Sequence, residues 1–363
     1  MSQFTDENLR EIEEANEPLE EAIPPSDIVA FNESRSCADL FRLYVKKQLD
    51  ITPDFQRKIV WNNKDQTIFV DSLIKQLPIP SLCISLDAKS QNRIVIDGLQ
   101  RMATIIKFLD YENHDWKLSP CEDIDKRISG KSVSQIANDY PELYSSVENL
   151  SLPITVLRCD YSKRSHMDYL FQIFRRLNSG GRKLLNQEIR NCVYHGPFND
   201  FLHEVVRSNE WLSAMRVSQN SIENARYGNE ERALRFFAMF DNWERYSGNL
   251  ARFLNQYMSM HKEDSPSALM AKDSLLKRAL QVIKRISMPL EMVRNKNLME
   301  GVMVGVSKNL NNNELLSDNE LNNRYEKLIQ SEAYSVDVKE GMAHTDKVKA
   351  RIRQAINAFR GMS

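Results

Sequence analysis

The chain has 363 residues, 42% hydrophobic and 27% charged, with a formal net charge of −1. That length holds about two domains of roughly 100–200 residues each, and the near-neutral balance excludes a protein that is basic all over. No apolar run approaches the roughly 18 residues needed to span a bilayer, and the first residues lack the basic-then-apolar layout of a secretion signal, so a cytoplasmic protein without a membrane partner is expected.

Residues 1–27 read as an acidic tail. Asp6, Glu7, Glu11, Glu13, Glu14, Glu17, Glu20 and Glu21 face only Arg10 there, and Pro24-Pro25 closes the stretch. Large apolar residues are too few to offset the entropy of ordering it. Ordered structure is expected to begin near Ile28. Ser36 is placed to cap a helix running through ADLFRLYVKKQL, and ITPDFQR then reads as extended, since Pro53 restricts Thr52. Asn62 or Asn63 can cap the helix DQTIFVDSLIKQL, which must end before Pro78; Pro78-Ile79-Pro80 forces an extended exit. SLCISL and RIVI are rich in β-branched and apolar residues and read as two strands. The second runs into Asp97-Gly98, and LQRMATIIKFL follows with helical periodicity. Residues 110–149 read as a polar insertion, and SLPITVLR as another strand.

From Ser165 the pattern is helical almost throughout. HMDYLFQIFRRLN stops at Ser179-Gly180-Gly181, and NQEIRNCVYH begins with Asn186 as its cap. EERALRFFAMFDNWERY and SALMAKDSLLKRALQVIKRISM are longer helices, and VKARIRQAINAF is the last, with Thr345 as cap. The expected organisation is an α+β domain over residues 28–160 and a helical domain over 161–363. The five cysteines, Cys37, Cys83, Cys121, Cys159 and Cys192, are scattered and never paired as C-x-x-C. That spacing fits neither a zinc site nor a disulfide framework.

The chemistry concentrates where the second strand hands over to its helix. A helix N-terminus carries unpaired N–H groups and a partial positive charge, and a glycine there lets the backbone approach a phosphate. Gly98 supplies that freedom, and Arg101 in the first turn can hold phosphate oxygens with its planar guanidinium. Asp97 can hold a metal-bound water or orient an arginine, and Gln100 can donate to a phosphate or position a water. Strand-Asp-Gly-helix is also an ordinary turn, with Asp as cap and Arg as a solvated charge. Upstream, Pro53-Asp54-Phe55-Gln56-Arg57 leads to Val60-Trp61. Downstream, Asn178-Ser179-Gly180-Gly181-Arg182-Lys183 joins two helices, either as a glycine C-cap or as a phosphate-wrapping loop.

Taken in order, these stretches resemble the family named for the N-terminal domain of the GmrSD type IV restriction endonucleases, of the ParB/sulfiredoxin-like superfamily. Its pattern P-x-F-Q-R-x-x-V-W is carried by Pro53, Phe55, Gln56, Arg57, Val60 and Trp61, and its P-x-P exit by Pro78 and Pro80. Its D-G-Q-Q-R turn is carried by Asp97, Gly98, Gln100 and Arg101. Its later motif is carried by Phe174, Leu177, Asn178, Gly180, Gly181, Leu184, Glu188, Arg190 and Asn191. A weaker echo follows at Glu231, Leu234 and Arg235. The resemblance implies a ParB/sulfiredoxin-like N-terminal domain followed by a mostly α-helical half. It implies binding of a nucleoside triphosphate (GTP, ATP or CTP) with Mg2+, hydrolysis coupled to restriction of modified or phage DNA, and a nuclease or other defence protein as partner. By position, Asp97, Gln100 and Arg101 would be catalytic, whereas Gln56, Arg57, Gly98, Asn178, Gly180, Gly181 and Lys183 would line the nucleotide pocket. The chain departs from the pattern at Leu99, where the first glutamine of D-G-Q-Q-R belongs.

The six histidines, His114, His166, His195, His203, His261 and His344, form no grouped pattern. An autonomous His-Asn-His nuclease is therefore not expected. A non-hydrolysing module gated by nucleotide or DNA is the alternative to an NTPase, and Leu99 favours it. A scaffold or toxin-neutralising partner is a third reading, supported by the acidic tail alone. The last helix spaces Lys347 from Arg351 and Lys349 from Arg353 by four, which gives either a docked helix with a solvated basic face or a phosphate-contacting element.

Overall fold

The computed structural model describes residues 24–51, 61–177, 185–224, 227–334 and 344–361. Most of the acidic tail, ITPDFQR after Ile51, and the glycine loop after Leu177 lie outside these residues. The first unit begins with strand β1 (Val29–Ser36), helix α1 (Cys37–Val45) and the short β2 (Leu49–Asp50). It continues with α2 (Asn63–Ile74), β3 (Leu82–Asp87), β4 (Arg93–Asp97) and α3 (Leu99–Leu109). It closes with α4 (Val133–Asp139), α5 (Pro141–Glu148), β5 (Ser151–Cys159) and α6 (Arg164–Leu177).

The five strands form one mixed sheet in the order β1-β5-β3-β4-β2. β1 pairs antiparallel with β5, β5 parallel with β3, β3 antiparallel with β4, and β4 parallel with β2. Side chains alternate across a strand. Leu82, Ile84, Leu86, Val95, Leu152, Ile154 and Val156 therefore share one face, where they pack into a core with Leu40 and Leu43 of α1, Val70 and Leu73 of α2, and Met102 and Ile105 of α3. Ile94 and Ile96 point the other way, and α6 lies against β4. Because α6 packs onto the β4 part of that second face, the chain divides between Leu184 and Leu185, later than the 160/161 boundary expected.

Local signals explain most boundaries. Ser36 caps α1 by accepting the Asp39 N–H at 3.1 Å, and the helix stops at Val45, short of the expected Leu49. Asn62 and Asp65 make a reciprocal capping box on α2. Two helices occupy the stretch read as a polar insertion: Ser132 and Gln135 form a capping box on α4, and Pro141 stands in the first turn of α5.

Asp27 anchors the approach to β1. Its carboxylate accepts from His166 Nε2 at 2.8 Å and from the Lys163 ammonium, both on or beside α6. Those two bonds, Lys163 first, hold the carboxyl down to about 2. A carboxyl depressed in the folded state contributes stability above its unfolded pKa, near 3.9, and loses it as pH falls through the folded value. Melting temperature should therefore drop between about pH 4 and pH 2 more steeply in the wild type than in Asp27→Asn. Parallel pH profiles for the two proteins would exclude this anchor.

The second unit is helical. It comprises α7 (Asn186–Val193), α8 (Pro197–Val205), α9 (Asn209–Met215), α10 (Gln219–Asn224), α11 (Gly228–Asn242) and α12 (Leu250–His261). After these come α13 (Pro266–Lys284), α14 (Leu290–Arg294), α15 (Lys296–Lys308), α16 (Leu310–Asn313), α17 (Asp318–Ile329) and α18 (Thr345–Arg360). The terminal helix α18 is docked. Val348, Ile352, Ala355 and Phe359 are buried, and a Cβ on Gly305 of α15 would sit 2.5 Å from the Ala355 carbonyl oxygen. Thr345 is the first helical residue; His344 occupies the cap position and makes no side-chain cap bond. The whole chain is thus α+β, a mixed sheet with its helices followed by a helical unit. No helix among the described residues is long and apolar enough to cross a membrane.

Candidate functional site

Asp97 ends β4 and Leu99 starts α3, so Gly98 alone makes the turn. It sits at φ +90°, a left-handed conformation that suits glycine, and as the cap residue it has no side chain to bond the helix. Among the described residues no side chain caps the first amides of α3, which leaves them to water or an anion there. A Cβ at this position would lie 2.2 Å from Leu82 Cδ2 and 3.0 Å from Arg101 Nη2. Close packing as well as backbone conformation thus selects glycine.

Arg101 does more than face solvent. Nη1 donates to the Pro80 carbonyl, and Nη2 donates to the Asp97 carboxylate at 3.0 Å and more weakly to the Ser81 carbonyl at 3.5 Å. Only 13% of its side chain is exposed. Burial pushes its pKa down while the charge of Asp97 pulls it back up. The guanidinium thus clamps α3 to the start of β3 and keeps its positive charge beside the open amides. Of its five N–H groups, the three bonds leave about two for another acceptor. The Pro78-Ile79-Pro80 exit serves this clamp, because it presents the Pro80 carbonyl to Arg101. Of the two roles open to Asp97, the geometry shows the orienting of an arginine.

Gln100 is oriented as well. Its Oε1 accepts the Trp61 N–H at 3.3 Å, and its carbonyl accepts from Thr104 Oγ1 at 2.7 Å. A backbone N–H can only donate, so this bond settles which end of the amide is oxygen and turns the Nε2 donors away from Trp61. Leu99 is half-buried against the sheet's core. Cys83 stands opposite Asp97 across the β3–β4 ladder, and burial, followed by the Asp97 charge, pushes its thiol up to about 11. That thiol is a protonated packing group and not a nucleophile.

The structure therefore brings Asp97, Gly98, Gln100 and Arg101 together. Gln56, Arg57, Asn178, Gly180, Gly181 and Lys183 lie outside the described residues. The later motif residues serve the helical unit. Glu188 accepts the Leu185 N–H at 2.7 Å, which places Leu185 and not Asn186 at the cap of α7. Arg190 is 1% exposed and bonds Asn255 at 2.9 Å, Gln187 at 3.1 Å and Glu231 at 3.0 Å. Its echo, Arg235, pairs with Glu300 at 2.7 Å. These motif arginines hold helices together.

Comparison with known families matches residues 38–195 to the one described as GmrSD restriction endonuclease, N-terminal domain. That segment, a little under half of the chain, is similar to this domain. The GmrSD-type domain spans the whole sheet except β1, and it runs past the unit division through α7. It thus contains the glycine-capped turn and Arg190, whose partners Glu231 and Asn255 lie beyond it. Neither the characterised proteins nor the solved structures return a match to the chain. Of the basic pairs on the terminal helix, Arg351 is buried, where desolvation pushes its pKa down and the charge of Glu300 opposes that shift. The Arg353 guanidinium lies 5.7 Å from the centre of the Trp243 ring. A buried Arg351 is not available to a DNA phosphate, which corrects the phosphate-contacting reading at that position.

Proposed function

We propose that the turn between β4 and α3 binds the phosphates of a nucleoside triphosphate, and that the protein uses this ligand in restriction-type defence directed at DNA. One observation carries the reading: an eleven-residue helix begins at a left-handed glycine with its first amides uncapped among the described residues, beside an arginine that a carboxylate holds in place. Backbone amides, glycine and a fixed cation together make an anion site. The residues fit the group. The amides of Leu99 and Gln100 would meet phosphate oxygens, Arg101 would supply fixed positive charge, and Gln100 Nε2 would donate to an oxygen. Mg2+ is held mainly by phosphates and water with one or two carboxylates, and Asp97 is the carboxylate at this turn. Bound there, it would neutralise developing negative charge.

Leu99 favours binding without rapid turnover. Its side chain packs on the core, so that position offers no amide to orient water, and Gln100 is the polar side chain that remains. With GTP, ATP and CTP in turn, the wild type should bind at least one triphosphate with Mg2+. Arg101→Ala should weaken binding by about tenfold or more, the scale of one charge-assisted hydrogen bond. Leu99→Gln should hydrolyse faster than the wild type at similar affinity. No binding above the Arg101→Ala level for any triphosphate would end the nucleotide reading.

A further inference from the structure

The sheet presents a second polar surface next to this turn. On the part of the second face that α6 leaves open, β1 and the first half of β5 form a shallow groove of about 430 Å³, lined by Asn32, Glu33, Ser34, Ser81, Pro153, Ile154 and Thr155. Small-molecule sites commonly fall between about 300 and 1,000 Å³. Antiparallel pairing sets Asn32 opposite Thr155 and Ser34 opposite Pro153, so these side chains form one surface.

The groove is wired to the turn. Thr155 Oγ1 donates to Asn32 Oδ1 at 3.0 Å and lies 3.2 Å from Ser81 Oγ. Ser81 and its neighbour Pro80 then offer their carbonyls to Arg101. Ser81 thus faces the groove with its hydroxyl and the phosphate turn with its backbone. The turn ends β4, and from β4 across β3 and β5 to β1 is three strand spacings, roughly 14–15 Å. That is a reach that a nucleoside extended from its phosphates can cover.

The chemistry of the row suits a nucleoside. The bond from Thr155 occupies Asn32 Oδ1 and leaves the two Nδ2 hydrogens without an acceptor among the described residues. A carboxamide held this way can read the hydrogen-bonding edge of a base. Pro153 adds a flat apolar ring between these polar groups. We infer that the groove of Asn32, Thr155 and Ser81 is the nucleoside subsite of the same ligand, with Asn32 reading the base. This inference rests on the phosphate site proposed above.

Inorganic tripolyphosphate separates the two claims, because it carries the phosphates without a nucleoside. Calorimetric titration with Mg2+ should show the wild type binding its preferred nucleoside triphosphate more tightly than tripolyphosphate. Asn32→Ala, an exposed position, and Thr155→Val, close in shape, should each lose about tenfold for the nucleotide, the worth of one or two net hydrogen bonds. Tripolyphosphate affinity should stay unchanged, and discrimination between bases should fall. Unchanged nucleotide affinity in both variants would overturn the subsite and leave the turn intact. Equal wild-type affinity for nucleotide and tripolyphosphate would do the same. If both variants lost tripolyphosphate together with the nucleotide, the row would be a support for Arg101 and not a subsite. If the wild type bound neither compound, the phosphate site itself would fall, and the subsite with it.

Discussion

Arg190→Ala should destabilise the protein by about 3–5 kcal/mol, the range for removing one partner of a buried charge pair. The arginine belongs to the family segment, yet it is 1% exposed and spans three helices: it bonds Gln187 within α7, Glu231 on α11 and Asn255 on α12. Burial pushes the Glu231 carboxyl up, but Arg190, with Lys296 and Arg235, outweighs that and holds it below its usual range. Deleting the guanidinium leaves a buried carboxylate with much of its compensation gone and two amides without their donor. Arg190→Met, which keeps most of the volume, should cost nearly as much, because charge and not shape is lost. Pairing Arg190→Met with Glu231→Leu should recover part of the loss, since an apolar pair avoids desolvating two ions. Urea unfolding reads all three. A loss under about 1 kcal/mol for Arg190→Ala, the level of an exposed ion pair, would refute the crosslink.

Gly98→Ala should cost about 2–4 kcal/mol, combining left-handed strain with a steric clash. The new methyl would stand 2.2 Å from Leu82 Cδ2, and Leu82 is 0% exposed on the core face of β3, so it has nowhere to go. The turn must then open, which carries Arg101 away from Pro80 and Ser81. Loss of stability and loss of anion binding should appear together. Gly130→Ala is the control. It also has positive φ, +71°, but its Cβ would meet nothing closer than 3.7 Å. Strain alone should cost that variant about 1 kcal/mol. Equal losses for the two variants in the same denaturation assay would show that packing against Leu82 is not what requires the glycine.

The parts of the fold that could be read from the sequence are those where local chemistry decides. β3, β4 and α3 are announced by β-branched runs, an Asp-Gly break and a helical period, and Ser36 and Asn62 cap helices as their types suggest. β1 was not legible. VAFNESRS shows no apolar alternation because it is an edge strand, with Val29, Ala30, Phe31 and Asn32 all exposed, and burial on one face is what produces alternation. α4 and α5 lie in a polar stretch, where only the Ser132–Gln135 capping box and Pro141 at a first turn mark them locally.

The site divides in the same way. Asp97, Gly98, Gln100 and Arg101 can be picked out as a group because they are contiguous. The role of Arg101 as a clamp cannot, since its carbonyl partners lie 20 and 21 residues away and backbone acceptors leave no mark on sequence. Arg351 shows the opposite failure. Its spacing from Lys347 suggested a solvated basic face, but packing of α18 against α15 buries it near Glu300. Periodicity places a residue on a helix face without saying what that face meets.

Hydrogen exchange over residues 97–102, with and without a nucleoside triphosphate and Mg2+, tests the central claim most directly. The uncapped amides of Leu99, Gln100 and Arg101 should exchange quickly in the free protein. They should become protected when the triphosphate binds, and tripolyphosphate should protect them too. Binding accompanied by protection elsewhere, with these three amides still exchanging freely, would contradict the account.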